Sequence, residues 1–144
     1  RRLMIVRNAV AIMLCTLSVS SFAQNKNASN WDGEYFFEQT GETLIDGSQA
    51  YIRTDIKISD NGRAAAVKMQ TWHAMSRCVG PYESVEKDGV LLLNYKGTVD
   101  NCRKPAPQYE IKKRKGKLYI RGEIIYYAEG QWTMLSPVKS AQKK

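Results

Sequence analysis

The chain has 144 residues, 22 Lys and Arg against 14 Asp and Glu, a formal charge of +8, and a single histidine. That length holds one domain with a sizeable core, and the moderate basicity favours anionic surfaces without specifying nucleic acid. One histidine leaves no obvious nucleophile–base pair, and no G-x-S-x-G, H-E-x-x-H, P-loop or dinucleotide fingerprint is present, so a non-catalytic protein without metal or cofactor is expected.

Residues 1–23 read as a secretory signal helix. Arg1, Arg2 and Arg7 precede the apolar run Ala9 to Leu17, and Ser21 and Ala23 occupy the small-residue places of a cleavage site before Gln24. The alternatives are a membrane anchor, for which the apolar core is short, and a lipoprotein signal on Cys15, where bulky Leu14 stands in place of a small residue. Arg1, Arg2 and Leu3 precede Met4 and read as an upstream extension. Cleavage removes three arginines and no acid, lowering the charge from +8 to +5. The product is expected in the periplasm or outside the cell, with no membrane attachment. In that oxidising compartment Cys78 and Cys102 read as a disulfide. It closes a loop of about two dozen residues, for a chain-entropy contribution of roughly 3 kcal/mol.

Residues 24–30 are small and polar, a flexible lead in which Asn27-Ala28-Ser29 matches a glycosylation acceptor. From Trp31 the pattern alternates: Trp31, Gly33, Tyr35 and Phe37 share one side of a first strand, with Asp32, Glu34, Phe36 and Glu38 on the other. Thr40 to Ser48 reads as a loop. Tyr51 to Trp72 then reads as one long hairpin turning at Asn61-Gly62, a type I′ signal. That turn sets Ile58 opposite Ala65, Ile56 opposite Val67, Thr54 opposite Met69 and Ile52 opposite Thr71 on an apolar face. Asp55–Lys68 and Tyr51–Trp72 fall on the other face. A one-residue slip would bring Lys68 to the apolar side, so the register is well specified.

Beyond an irregular passage through Cys78 and Gly80-Pro81, Tyr82–Lys87 and Val90–Tyr95 form a hairpin at Asp88-Gly89. Tyr82, Tyr95, Ser84 and Leu93 share one face, Val85 and Leu92 the other, and the pattern leaves open which is buried. Gly97 to Pro107 is a loop tethered by Cys102. A third hairpin turns at Lys115-Gly116, with Ile111 opposite Ile120 and Lys113 opposite Leu118. The returning strand is expected to reach Tyr127 and turn at Glu129-Gly130, with either a face-swapping bulge at Gly122 or one face covered by a partner or by the N-terminal lead. The turn sets Tyr127 opposite Trp132, Ile125 opposite Met134, Tyr126 opposite Thr133 and Ile124 opposite Leu135. Residues 31–137 form the domain, and the basic tail 138–144 is expected to be disordered. About eight strands on tight turns predict an all-β, antiparallel up-and-down barrel, which removes exposed edges; a β-sandwich is the alternative.

Three candidate sites follow. Lys112, Lys113, Arg114, Lys115 and Lys117 crowd a hairpin tip, either as a solvated turn or as a contact for an acidic protein or anionic cell-envelope polymer. Nucleic-acid binding would want interleaved aromatics and is not expected. The last hairpin is apolar on both faces, which makes Ile125, Tyr127, Trp132 and Met134, with the outward pair Tyr51 and Trp72, a candidate protein-partner surface. Trp31, Tyr35 and Phe37 are candidate linings of a ligand cavity. The carboxylates Glu34, Glu38, Asp55, Glu83 and Glu86 lie on predicted strands, and a hydrolase would need two of them to converge. His73 is expected at the rim of the core.

Trp31-Asp32-Gly33-Glu34-Tyr35, the Ile-rich strand before Asp60-Asn61-Gly62, the cysteine after the second long strand and Trp132-Thr133-Met134-Leu135-Ser136-Pro137 together resemble a group of small exported bacterial β-domains of undefined function. The W-x-G-x-Y start is also similar to the first strand of calycin barrels, which implies a small ligand in the barrel mouth. The expected function is therefore an exported binding domain of the inhibitor or immunity kind acting on another protein in the periplasm. A barrel for a small apolar ligand and a carboxylate hydrolase are the alternatives.

Overall fold

The computed structural model describes residues 30–122 and 130–139. The expected signal, most of the lead with Asn27, the segment holding Ile125 and Tyr127, and the end of the tail lie outside the described residues. Eight antiparallel strands in chain order close into a barrel: β1 (Gly33–Thr43), β2 (Gln49–Ser59), β3 (Ala64–Trp72), β4 (Gly80–Lys87), β5 (Val90–Tyr95), β6 (Tyr109–Arg114), β7 (Lys117–Arg121) and β8 (Thr133–Pro137), with β8 returning to β1. Closure rules out the sandwich.

The β2–β3 ladder keeps the register set by Asn61-Gly62 along its whole length, from Ser59 opposite Ala64 to Tyr51 opposite Trp72. Asp60, Asn61 and Gly62 all have positive φ, 55°, 53° and 76°. The hairpins at Asp88-Gly89 and Lys115-Gly116 also pair as their turns dictate. Inward side chains make one core, in which Ile56, Ile58, Val67, Leu91, Leu93, Tyr109, Ile111 and Ile120 are fully buried. The β4–β5 ambiguity resolves toward Tyr82, Ser84, Leu93 and Tyr95 inside, leaving Val85 half in solvent. Three aromatic rings at that point decide it: Tyr82 packs edge-on to Tyr95 and tilted against Tyr109, with centroids 5.3 and 5.7 Å apart. Such contacts outweigh what Val85 and Leu92 would gain by facing inward.

Three expectations need correction. β1 runs on to Thr43 through a register shift between Thr40 and Thr43, so only Leu44 to Ser48 forms the loop. β8 includes Pro137, and the Val138 N–H donates to the Glu34 carbonyl at 2.9 Å, which ties down the first residue of the expected tail. β8 does not take the register expected from a tight turn at Glu129-Gly130. Leu135 faces Leu118, Met134 faces Tyr119 and Thr133 faces Ile120. The reason is closure: β8 must also meet β1, at Tyr35–Pro137 and Phe36–Ser136. A local turn signal constrains two strands, whereas β8 is constrained by two neighbours at once.

The W-x-G-x-Y start acquires a structural explanation. Trp31 plugs one end of the barrel, 2% exposed, and its indole N–H donates to Glu86 Oε2 at 2.9 Å. The Asp32 carboxylate accepts from the Asn61 and Gly62 amides at 3.0 and 2.9 Å, seated in the concavity that three left-handed residues make. Gly33 leaves room for the Tyr35 ring, whose hydroxyl would lie 2.8 Å from a Cβ at that position. At the opposite end the disulfide Cys78–Cys102 is formed and buried, and the Tyr82 hydroxyl donates to the Cys78 carbonyl at 2.5 Å.

Candidate functional site

Two walls of the barrel carry distinctive outer faces, and they lie on opposite sides because β2–β3 and β6–β7 are four strands apart in a ring of eight. On the β6–β8 wall the outward residues of β6 are Glu110, Lys112 and Arg114, opposite Arg121, Tyr119 and Lys117. Met134 follows beside Tyr119 and is about half exposed. Trp132, entering β8, lies flat enough to receive two cations: Lys112 Nζ is 4.1 Å and Arg121 Cζ 4.4 Å from its ring centroid. Arg121 is also held by Glu110. Lys112, Arg114, Lys115, Tyr119 and Trp132 surround a cleft of about 350 Å³. A second cleft of about 400 Å³, lined by Pro105, Pro107, Glu110, Arg121, Gly122 and Gly130, adjoins it.

β7 ends at Arg121, and Gly122 follows it directly. A Cβ at Gly122 would come 2.2 Å from the Gln108 carbonyl oxygen, so the predicted bulge is a close backbone approach. Gln108 is itself buried and spans the loop, accepting from the Tyr95 amide at 2.6 Å and donating to the Pro105 carbonyl at 2.8 Å.

The structure thus joins parts of two predicted groups and separates others. Lys112, Arg114, Lys115 and Lys117 share the wall with Trp132 and Met134. Lys113 does not belong to this cationic face. It takes the inward parity of β6, and at the barrel end its Nζ donates to the Asn30 carbonyl at 2.8 Å and sits 4.6 Å from the Trp31 ring centroid. Tyr51 lies on β2 and Trp72 on β3, with β1 between them and the entry to β8 that holds Trp132. Trp72 is 55% exposed, edge-on to His73 with centroids 4.5 Å apart. Tyr51 is half-buried and donates to Glu38 Oε1 at 2.8 Å; burial and then that hydrogen bond hold its hydroxyl above the ordinary pKa.

The far wall is charge-balanced. Lys57 approaches Glu34 at 3.9 Å, and Arg53 pairs with Asp55 at 3.0 Å while lying 4.0 Å over Phe36. It bears a cleft of about 500 Å³ lined by Glu34, Asp55, Lys57, Ala66, Lys68 and Gln70, with Val138 at its side. Two of the five strand carboxylates, Glu34 and Asp55, do share that cleft, each tied to its own cation. Glu38 serves Tyr51, Glu83 pairs with Lys96 at 3.1 Å, and Glu86 accepts from Trp31.

The proposed cavity linings are core. Trp31 and Phe37 are buried in the same cluster as Ile56, Leu93 and Ile120, and Tyr35 packs against it. Among the described residues no three His, Cys, Asp or Glu side chains are grouped as a metal would need. No family model matches the chain, and neither a curated protein nor a solved structure matches it.

Sequence reading missed the role of Tyr119 and Arg121. Their outward parity was legible from Lys115-Gly116, but their meeting with Trp132 depends on the β7–β8 register, which the local turn signal misplaced.

Proposed function

We propose that this chain is an exported, non-catalytic binding domain of the inhibitor or immunity kind. It recognises an acidic protein partner through the outer wall of β6–β8. The observation that carries this reading is the stacking of Lys112 and Arg121 on Trp132, beside Tyr119 and Arg114. A tryptophan flanked by cations offers a flat apolar anchor within a positive field, the residue types that dominate interface energetics. Among the described residues, the ion pairs include none to Lys112, Arg114, Lys115 or Lys117. Their charge is therefore available to a carboxylate-rich surface, steering encounter and fixing register.

Export is part of the same proposal, supported by the leader pattern and by the buried disulfide, a bond suited to an oxidising compartment. The likeness to small exported bacterial β-domains fits it as well. The small-ligand alternative is disfavoured because Trp31 and Phe37 are core residues.

The test is capture from the source organism's envelope extract on immobilised protein. Wild type is expected to retain an acidic protein that Trp132→Ala and Lys112→Glu each release. Retention equal across all three would remove the β6–β8 wall from the account.

A further inference from the structure

The barrel is closed, but not every ladder runs the length of its strands, and β3–β4 is one that stops short. β3 pairs with β4 from Ala64–Glu83 only as far as Val67–Gly80, while on its other side it stays paired with β2 to Trp72. Lys68 to Trp72 therefore present an open edge. The chain that follows does not cover it with hydrogen bonds. It turns at His73, φ 47°, and bends in to the buried Cys78, where the disulfide and the Tyr82 hydroxyl hold it across the end of the barrel. Among the described residues no backbone bond reaches this side of Lys68–Trp72.

Which groups point to the edge follows from alternation. The Ser84 amide donates to the Arg63 carbonyl at 3.0 Å, so Arg63 faces β4, and every second residue after it does likewise. The N–H and C=O of Met69 and Thr71 are then the unsatisfied pair of donors and acceptors. An exposed edge of this kind is a template for another strand.

We propose that this edge pairs with the same edge of a second copy of the chain, antiparallel about a two-fold axis through Gln70. That register sets Met69 opposite the second copy's Thr71 and Thr71 opposite its Met69. All four open backbone groups of each chain are used reciprocally. On the outer face Gln70 meets Gln70, and Lys68 meets Trp72 twice. Each of these apposed pairs is favourable or neutral: two cation–ring contacts flank an amide pair, and no like charges face each other. The contact also withdraws from water the exposed indole of Trp72, otherwise one of the larger apolar groups on the surface. An isologous interface requires this self-complementarity. The cationic face of β6–β8, on the opposite wall, stays accessible in both copies.

The two-fold axis makes a direct test available, because Gln70 is exposed and its exchange leaves the core alone. Sedimentation equilibrium of the full chain is expected to show a reversible monomer–dimer equilibrium below about 1 mM, the range a short edge contact supports. Gln70→Lys sets two ammonium groups face to face and Gln70→Glu two carboxylates, and each variant is expected to weaken dimerisation at least tenfold. An equimolar mixture of the two is expected to dimerise at least as well as wild type. Thr71→Pro removes one open-edge N–H without touching a β2 bond and is expected to be monomeric with an unchanged circular dichroism spectrum. A wild type that stays monomeric across that range, a dimer indifferent to Gln70→Lys, or a mixture that does not recover would each overturn the proposal.

Discussion

The β1–β3 wall and the β6–β8 wall are built from the same kind of alternating strand, yet they treat outward charge in opposite ways. On β1–β3 the cations have acids for neighbours: Lys57 has Glu34, and Arg53 has Asp55. The ladders there are also long, nine residue pairs between β2 and β3 against three between β7 and β8. On β6–β8 one pair, Glu110–Arg121, is set among four further cations and an indole. A balanced wall on a long ladder contributes rigidity and solubility and creates no preference among partners. A wall with surplus outward charge around an aromatic anchor has a preference, and those outward side chains, unlike Ile111, Ile120 and Leu135 behind them, contribute little to the core. The comparison predicts that stability and binding can be damaged separately.

The largest stability effect belongs to the long hairpin. Ile56→Ala empties a fully buried site and is expected to cost about 3 kcal/mol, whereas its outward neighbour Lys57→Ala should stay within about 0.5 kcal/mol. Equal losses at the two positions in urea titrations would contradict the inward–outward assignment. Next is Asp32→Ala, which strips the carboxylate from the Asn61 and Gly62 amides and is expected to cost about 2 kcal/mol. The same titration should show Trp132→Ala within about 1 kcal/mol of wild type, since that side chain is only half-buried.

A smaller, pH-limited effect comes from Tyr82, whose hydroxyl is pushed well above its ordinary value of 10.0 by burial and then by the neighbouring Tyr109 and Tyr95. A raised pKa in the fold means that the neutral form is the one stabilised. The contribution is complete below pH 10 and is lost as the pH rises through and beyond 10, where the unfolded chain ionises first. The unfolding midpoint is expected to be level from pH 7 to 9 and to fall above 10, less steeply in Tyr82→Phe. An identical alkaline limb in that variant would assign the fall to another group.

Legibility in the sequence divides along the same line. Asn61-Gly62, Asp88-Gly89 and Lys115-Gly116 adopt positive φ at both turn residues and fix three hairpin registers, so the strand order and the disulfide were readable from local chemistry. The β7–β8 register was not, because Leu118–Leu135 and the β1–β8 pairs Tyr35–Pro137 and Phe36–Ser136 express closure of the whole ring. The site inherits this. The lysine-rich tip was visible as composition, while its junction with Trp132 exists only after closure, and the same closure sends Lys113 to the barrel end with Trp31. Parity alone also could not say that Ser84 faces in and Val85 out, since that choice rests on three tyrosine rings meeting in space.

The claim that surplus charge on β6–β8 is the recognition surface is tested most directly by binding to poly-L-glutamate at several salt concentrations. The comparison is between the double reversal Lys112→Glu, Arg114→Glu and the double reversal Lys57→Glu, Lys68→Glu, which change net charge equally on the two walls. The account predicts that the first lowers affinity by about a hundredfold or more and flattens the salt dependence, while the second changes it by less than about fivefold. Equal losses from the two walls would mean that the acidic probe senses only net charge, and the β6–β8 site would be abandoned.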